Sequence, residues 1–387
     1  MNAPFLSLQQ DSNFMHFYVT LTLNCNLQCR YCYGKCVDDF GQPFPFEIES
    51  SLPTTIKYKT SDLARFLKKD PEPVTIIFYG GEPTLALEKM LEIMDDFREG
   101  LFMMQTNGLL LDKLEPEYAQ RFHTILVSLD GDETLTDYYR GKGVYRRVIE
   151  NLKLIREKGF RGELIARMTV DPETDIRQAV NALLHDQEFP FSSIHWQLDA
   201  QFWQNDYEET KVQQWFEKYN QRIQGLVDDW VTYMEKAGQV LKLYPFLGVN
   251  ESLFTGNPSK LRCGAGWTEF NIQTDGNITP CPVMAGMKDF YLGDIWTTDP
   301  TNLKDKVLVK EPCPKCSVYE VCGGRCLYAN ATNLWGNEGY RLVCGTVKNL
   351  INSLEAVQPR IRKLIHGGQI NRDDFNYRKY NSCEIIP

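Results

Sequence analysis

Twelve cysteines in a 387-residue chain need a chemical explanation, and their spacing offers one. Cys25, Cys29 and Cys32 form a Cys-x3-Cys-x2-Cys run with Tyr31 directly before the last thiol. Three thiolates on one short loop can ligate three irons of a [4Fe–4S] cubane and leave the fourth iron without a protein ligand. Inner-sphere chemistry on a bound molecule requires such an open position. Zinc is the competing reading, but it favours four closed ligands; the chain has only five histidines, and Cys36 is the nearest fourth thiol. A second group follows far downstream: Cys263, Cys281, Cys313, Cys316, Cys322, Cys326 and Cys344. Its Cys-x2-Cys-x5-Cys-x3-Cys core is a metal-ligating pattern, and by spacing alone two zinc sites compete with iron–sulfur clusters. Val37 to Arg262 contains no cysteine, which is unlike the even spread of a secreted disulfide framework.

Other chemistry-bearing residues fall at the ends of apolar runs. Gly80-Gly81-Glu82-Pro83 pairs two glycines, which allow close main-chain approach and expose carbonyls, with a carboxylate suited to a cationic amine. Gln105-Thr106-Asn107-Gly108 and Ser128-Leu129-Asp130-Gly131 close the next two runs, and Arg140 offers a guanidinium suited to bidentate carboxylate binding.

The elements that must position these residues are short β-rich runs at His16–Leu23, Val74–Tyr79, Leu101–Gln105, Ile125–Leu129, Leu164–Val170 and Ile194–Leu198. Amphipathic stretches such as Leu85–Phe97, Tyr145–Lys158 and Ile176–Leu184 lie between several of them. Near-continuous apolar strands alternating with helices predict a parallel sheet with helices outside. Six repeats fall short of the eight of a closed barrel, so the expected class is α/β, a partial (β/α)6 TIM barrel with a site at its C-terminal strand ends. The expected division is residues 1–200 for the barrel, 201–260 for a helical linker, 261–350 for a small metal-stapled domain and 351–387 for a C-terminal helix and tail. The linker helix, Thr210 to about Gly238, carries Trp215, Tyr219, Ile223, Leu226 and Trp230 at helical steps. A last helix is expected over Val347–Ile365.

Composition sets outer limits. A net charge of −9 argues against a general nucleic-acid or anionic-membrane binder. No long apolar run spans a bilayer and no secretory signal precedes the first strand, so a cytoplasmic protein is expected.

With these motifs in place, the chain resembles the radical S-adenosylmethionine (SAM) superfamily over roughly Phe17 to Asp199. The resemblance implies that Cys25, Cys29 and Cys32 hold the SAM cluster and that Tyr31 contacts adenine. It assigns the Gly80–Pro83 backbone and Glu82 to the SAM ammonium, Ser128 to the ribose and Arg140 to the carboxylate. Gln105, Asn107 and Asp130 are placed at the same strand ends. The downstream cysteines, with Gly276 through Cys281 as Gly-x4-Cys, resemble the SPASM domain of peptide-modifying radical SAM enzymes. That likeness implies two auxiliary [4Fe–4S] clusters, three clusters in all: a distal one on Cys313, Cys316, Cys322 and Cys344, and a proximal one on Cys263, Cys281 and Cys326. The proximal set is one thiolate short of four; Cys36 and Cys383 are its candidate donors, and an open iron is the alternative. Anaerobic sulfatase maturases carry an acid after the second cysteine of the module. This chain has Pro282 there, which argues against formylglycine formation.

The resemblance implies oxidative modification of a peptide or protein, of thioether or carbon–carbon crosslink type, with flavodoxin or ferredoxin as electron donor. Only about 16 residues precede strand 1, so no leader-binding domain is expected there. The other readings are action on a small non-peptide metabolite and a non-catalytic zinc-binding protein.

Overall fold

The computed structural model describes residues 14–32, 45–202, 206–377, 379 and 387. Six strands alternate with helices as the periodicity predicts: β1 (His16–Thr22), β2 (Thr75–Gly80), β3 (Leu101–Thr106), β4 (Phe122–Ser128), β5 (Glu163–Val170) and β6 (Ser193–Leu198). Each pairs in parallel with the next. Between them run α1 (Thr60–Leu67), α2 (Leu87–Asp96), the single turn α3 (Pro116–Ala119), α4 (Glu133–Arg140), α5 (Val144–Glu157) and α6 (Ile176–Leu184).

Strand alternation divides the apolar residues into two cores. Phe17, Val19, Ile76, Phe78, Phe102, Met104, Ile125 and Val127 point outward beneath the helices. Tyr18, Ile77, Met103, Leu126 and Ile165, one from each of β1–β5, point inward and meet Tyr244. Two residues further along, the inward row turns polar and half-exposed at Gln105, Ser128, Arg167 and Gln197. An apolar floor beneath a polar mouth at the C-terminal strand ends is what a parallel barrel offers a ligand.

The sheet is wider than periodicity revealed, with ten strands in the order β10-β9-β8-β1-β2-β3-β4-β5-β6-β7. A two-residue β7 (Lys242–Leu243) extends it beside β6. At the other edge, β8 (Glu269–Ile272) pairs in parallel with β1, from His16↔Glu269 to Val19↔Ile272. The turn at Asp275-Gly276-Asn277 joins β8 to the antiparallel β9 (Asn277–Thr279), and β10 (Gly293–Asp294) completes that edge. The cysteine-rich region is therefore joined to the barrel through a continuous sheet. A buried side-chain chain reinforces the seam: Thr20 donates to Asn271 at 2.8 Å, and Asn271 donates to Thr279 at 3.1 Å.

The long helix α7 (Glu209–Ala237) buries Trp215, Tyr219, Ile223, Leu226 and Trp230, as its periodicity predicts. Trp196 of β6 donates to the Tyr219 hydroxyl at 2.9 Å, fixing this helix against the barrel. The helix α8 (Tyr244–Thr255) carries the Tyr244 plug, whose hydroxyl donates to Glu163 at 2.8 Å. Two short helices, α9 (Tyr319–Cys322) and α10 (Leu327–Thr332), precede α11 (Gly336–His366), which packs along α7. The last helix starts eleven residues before Val347, so Cys344 lies within it and it runs through the boundary expected at residue 350. Gly339 and Gly345 weaken the helical signal there, and the packing face of α7 overrides it. Among the described residues, no helix is long and apolar enough to cross a membrane.

Candidate SAM and cluster site

Cys25, Cys29 and Cys32 lie on the loop that leaves β1, and three neighbours clamp that loop. From β2, the Gly81 amide donates to the Thr22 carbonyl and the Glu82 amide to the Asn24 carbonyl, both at 2.8 Å. A Cβ on Gly80 would stand 2.2 Å from the Thr22 carbonyl oxygen, and one on Gly81 would stand 2.3 Å from that of Asn24. The glycine pair is thus required for the approach of the cysteine loop itself. From β3, Asn107 donates to Asn26 at 2.7 Å. From α4, the Tyr139 carbonyl accepts from the Arg30 amide at 2.9 Å, and the Arg30 guanidinium lies 4.2 Å from the Tyr138 ring centroid.

Glu82 is fully buried, and its carboxylate accepts from the Thr84 amide and hydroxyl, the Thr106 hydroxyl and the Asn107 amide. Burial pushes its pKa up, and these four hydrogen bonds oppose the shift. This carboxylate, which the resemblance casts as an acceptor for the SAM ammonium, ties the end of β2 to the end of β3.

Three further residues of the expected SAM site join one another in a network. Arg140 grips Asp130 bidentately, at 2.8 and 3.0 Å, with both side chains buried. The Tyr31 hydroxyl donates to the same carboxylate at 2.7 Å, and the Thr169 amide donates to it at 3.1 Å. Burial disfavours the Arg140 charge, but Asp130, Tyr31 and Cys29 outweigh it and hold the guanidinium protonated. In this arrangement Arg140 spends its fork on Asp130, and Tyr31 spends its hydroxyl there too. The network positions the thiol loop against β4 and β5.

Other groups at the mouth do have unused capacity. The Gln105 Oε1 is buried without a hydrogen-bond partner, and Ser128 lies on the same inward row. Arg167 donates to Gln197 at 3.0 Å while its Nε is buried and unpartnered. Asp171 and Asp199 follow β5 and β6; burial, then the charges of Asp206 and Asp171, pushes Asp199 up to about 8. Sequence reading missed Arg167, Asp171 and Asp199. The strand-end rule that singled out Gly80, Asn107 and Asp130 would have found the two acids if carried on to the fifth and sixth strands.

The ten described cysteines are all free thiols and fall into three sets. Cys25, Cys29 and Cys32 feel one another's charge beneath β1. Cys313, Cys316, Cys322 and Cys344 line one cavity of about 900 Å³. Cys263, Cys281 and Cys326 pack around an apolar group that includes Leu261, Met284, Met287 and Leu327, and they couple electrostatically. Among the described residues, no three His, Cys, Asp or Glu side chains are arranged to hold a single metal ion. Burial raises the Cys281 thiol to about 12 and that of Cys344 to about 11, so neither ionises near neutrality without a bound cation. Four thiols lining one cavity of this size fit an iron–sulfur cubane. Cys36 and Cys383 lie outside the described residues.

An open parallel barrel, with a three-thiol loop after its first strand and a glycine pair after its second, is the arrangement that the resemblance to the radical SAM superfamily implies. The comparisons agree. The family model described as the Radical SAM superfamily matches residues 19–183. A cysteine-type anaerobic sulfatase-maturating enzyme of Clostridium perfringens is 23% identical over 332 residues, covering 78% of this chain and 85% of the relative. An uncharacterised protein of Methanothermobacter thermautotrophicus is 30% identical over 162 residues, covering 40% of this chain and 57% of that relative. Among solved structures, native anSMEcpe with bound AdoMet superposes with a TM-score of 0.69 at 18% identity, covering 91% of this chain and 99% of the other. Streptococcus suis SuiB bound to precursor peptide SuiA superposes at 0.51 with 16% identity, covering 81% and 72%. Residues 19–183 thus match the radical SAM superfamily, whose members use SAM and a [4Fe–4S] cluster, and the fold is that of native anSMEcpe.

Proposed function

We propose that this chain is a cytoplasmic maturase that oxidatively modifies a peptide or protein side chain. Cys25, Cys29 and Cys32 would hold the SAM cluster, Cys313, Cys316, Cys322 and Cys344 a distal cluster, and Cys263, Cys281 and Cys326 a proximal one. When bound, the reduced SAM cluster supplies a 5′-deoxyadenosyl radical that removes a hydrogen atom from the substrate. The main support is the separation of the thiols into one three-thiol set after β1 and two sets drawn from Cys263 to Cys344, which flank and follow the β8–β9 hairpin.

The protein's own groups then have defined tasks. The Gly80–Gly81 backbone and Asn107 fix the thiol loop. Gln105, Ser128 and Arg167 face the mouth, where Arg167 is the guanidinium with a donor to spare for the SAM carboxylate. The peptide assignment rests on the relatives, one named for sulfatase maturation and another solved with a precursor peptide. Pro282 removes the acid of the sulfatase maturases, so crosslinking of thioether or carbon–carbon type is favoured over formylglycine formation. Asp199, raised to about 8, is a carboxyl at the mouth able to accept a proton near neutral pH. Flavodoxin or ferredoxin would supply electrons.

Co-expression with a short cysteine-containing peptide encoded beside the gene, followed by mass spectrometry, tests this reading. A product lighter by two hydrogens is expected, resistant to thiol alkylation for a thioether and still alkylated for a carbon–carbon link. An unchanged peptide alongside turnover of a small non-peptide metabolite would favour the alternative substrate class.

A further inference from the structure

Between Cys322 and Cys326 the chain reads Gly323-Gly324-Arg325, and all three residues have positive φ, at 71°, 98° and 49°. Glycine adopts this region freely, whereas an arginine is sterically disfavoured there and is retained only where its surroundings enforce it. Successive amides in such a turn form a concavity that receives anions. Here the Gly324 and Arg325 amides favour negative charge on the Cys322 sulfur, against the upward push of burial. Arg325 is only 8% exposed and lines the cavity shared by Cys313, Cys316, Cys322 and Cys344. Its Nε is buried without a hydrogen-bond partner, and among the described residues no carboxylate forms an ion pair with it. The same cavity contains further donors, since the Tyr340 hydroxyl lies 3.1 Å from the Cys313 sulfur and the Asn330 amide 3.7 Å from it.

A buried guanidinium without an anion is costly, so its counter-charge must come from whatever fills the cavity. A cubane on four thiolates carries net negative charge and gains another on reduction. We propose that Arg325 is the counter-charge of the distal cluster and holds its reduction potential up, making that cluster the readier electron acceptor. Net charge and hydrogen bonds to sulfur are the levers that set such potentials. The proximal thiols lack this arrangement: Cys263 and Cys281 both face the negative charge of Glu269. This inference rests on the ligand sets proposed above.

The test is an EPR-monitored redox titration of the full chain in a Cys25→Ala/Cys29→Ala/Cys32→Ala background, comparing Arg325→Gln and Arg325→Lys with their parent. Iron content should stay at about eight per chain, from two cubanes. In Arg325→Gln the distal signal should shift so that its reduced-to-oxidised ratio at fixed potential falls about tenfold, or about 59 mV for a one-electron couple. Arg325→Lys should titrate close to the parent. If Arg325→Gln loses distal iron, a lysine variant that keeps both iron and parental potential still supports the counter-charge role. Parental behaviour in Arg325→Gln, an equal shift in both variants, or loss of distal iron in both overturns it. A parent with only one auxiliary signal would instead refute the ligand sets themselves.

Discussion

The thiols at the barrel mouth and those of the C-terminal region are positioned by different means. Cys25, Cys29 and Cys32 share one loop, and the fold's contribution is to clamp it through Gly80, Gly81, Asn107 and α4. The C-terminal thiols come from separate elements: Cys281 precedes a 3₁₀ turn, Cys322 ends α9, Cys326 caps α10, and Cys344 lies inside α11. A site on one loop depends on local backbone approach. A site assembled from many elements depends on the packing of all of them, here organised by α11 against α7. Damage at the first should therefore stay local, whereas damage at the second should follow the boundaries of each thiol set.

The largest effect that sharpens this contrast is loss of a whole set. Cys344→Ala should remove about four irons per chain and leave dithionite-driven SAM cleavage in place. Loss of all auxiliary iron would show that the two C-terminal sets are one site. Next in size is Glu82→Ala, which strands the buried Asn107 and Thr84 amides and should lower stability by about 3 kcal/mol in denaturant unfolding. A loss below about 0.5 kcal/mol would show that the carboxylate is not the tie between β2 and β3. A pH-dependent effect concerns Asp199, whose folded pKa of about 8 lies above the ordinary carboxylate value of about 3.9. The folded chain binds this proton more tightly than the unfolded chain, so stability falls as pH rises from about 4 to about 8 and then levels. Asp199→Asn should match the wild-type Tm at pH 4 and exceed it increasingly toward pH 8. A difference independent of pH would remove Asp199 as a shifted carboxyl at the mouth.

Contiguous features were the most legible in the sequence. The six barrel strands and α6 follow directly from apolar periodicity, and the helical steps of Trp215, Tyr219 and Ile223 predict the buried face of α7. The pairing of β8 with β1 was hidden, because four residues carry too little periodicity and their partner lies more than 250 positions away in sequence. Side-chain direction was hidden for the same reason. The sequence offers Glu82 and Arg140 by type as ligands for SAM, and tertiary contact adds what it could not show, the ties from Glu82 to Thr106 and from Arg140 to Asp130. Arg167 carried no motif; its significance comes from strand parity, which places it on the inward row beside Ser128.

The central claim is that the three thiol sets are separate and that only the barrel set cleaves SAM. Iron, sulfide and 5′-deoxyadenosine assays on anaerobically reconstituted wild type and the Cys25→Ala/Cys29→Ala/Cys32→Ala variant test it most directly. The account predicts about twelve irons falling to about eight, with SAM cleavage by dithionite-reduced protein abolished. Cleavage that survives in the triple variant would contradict it.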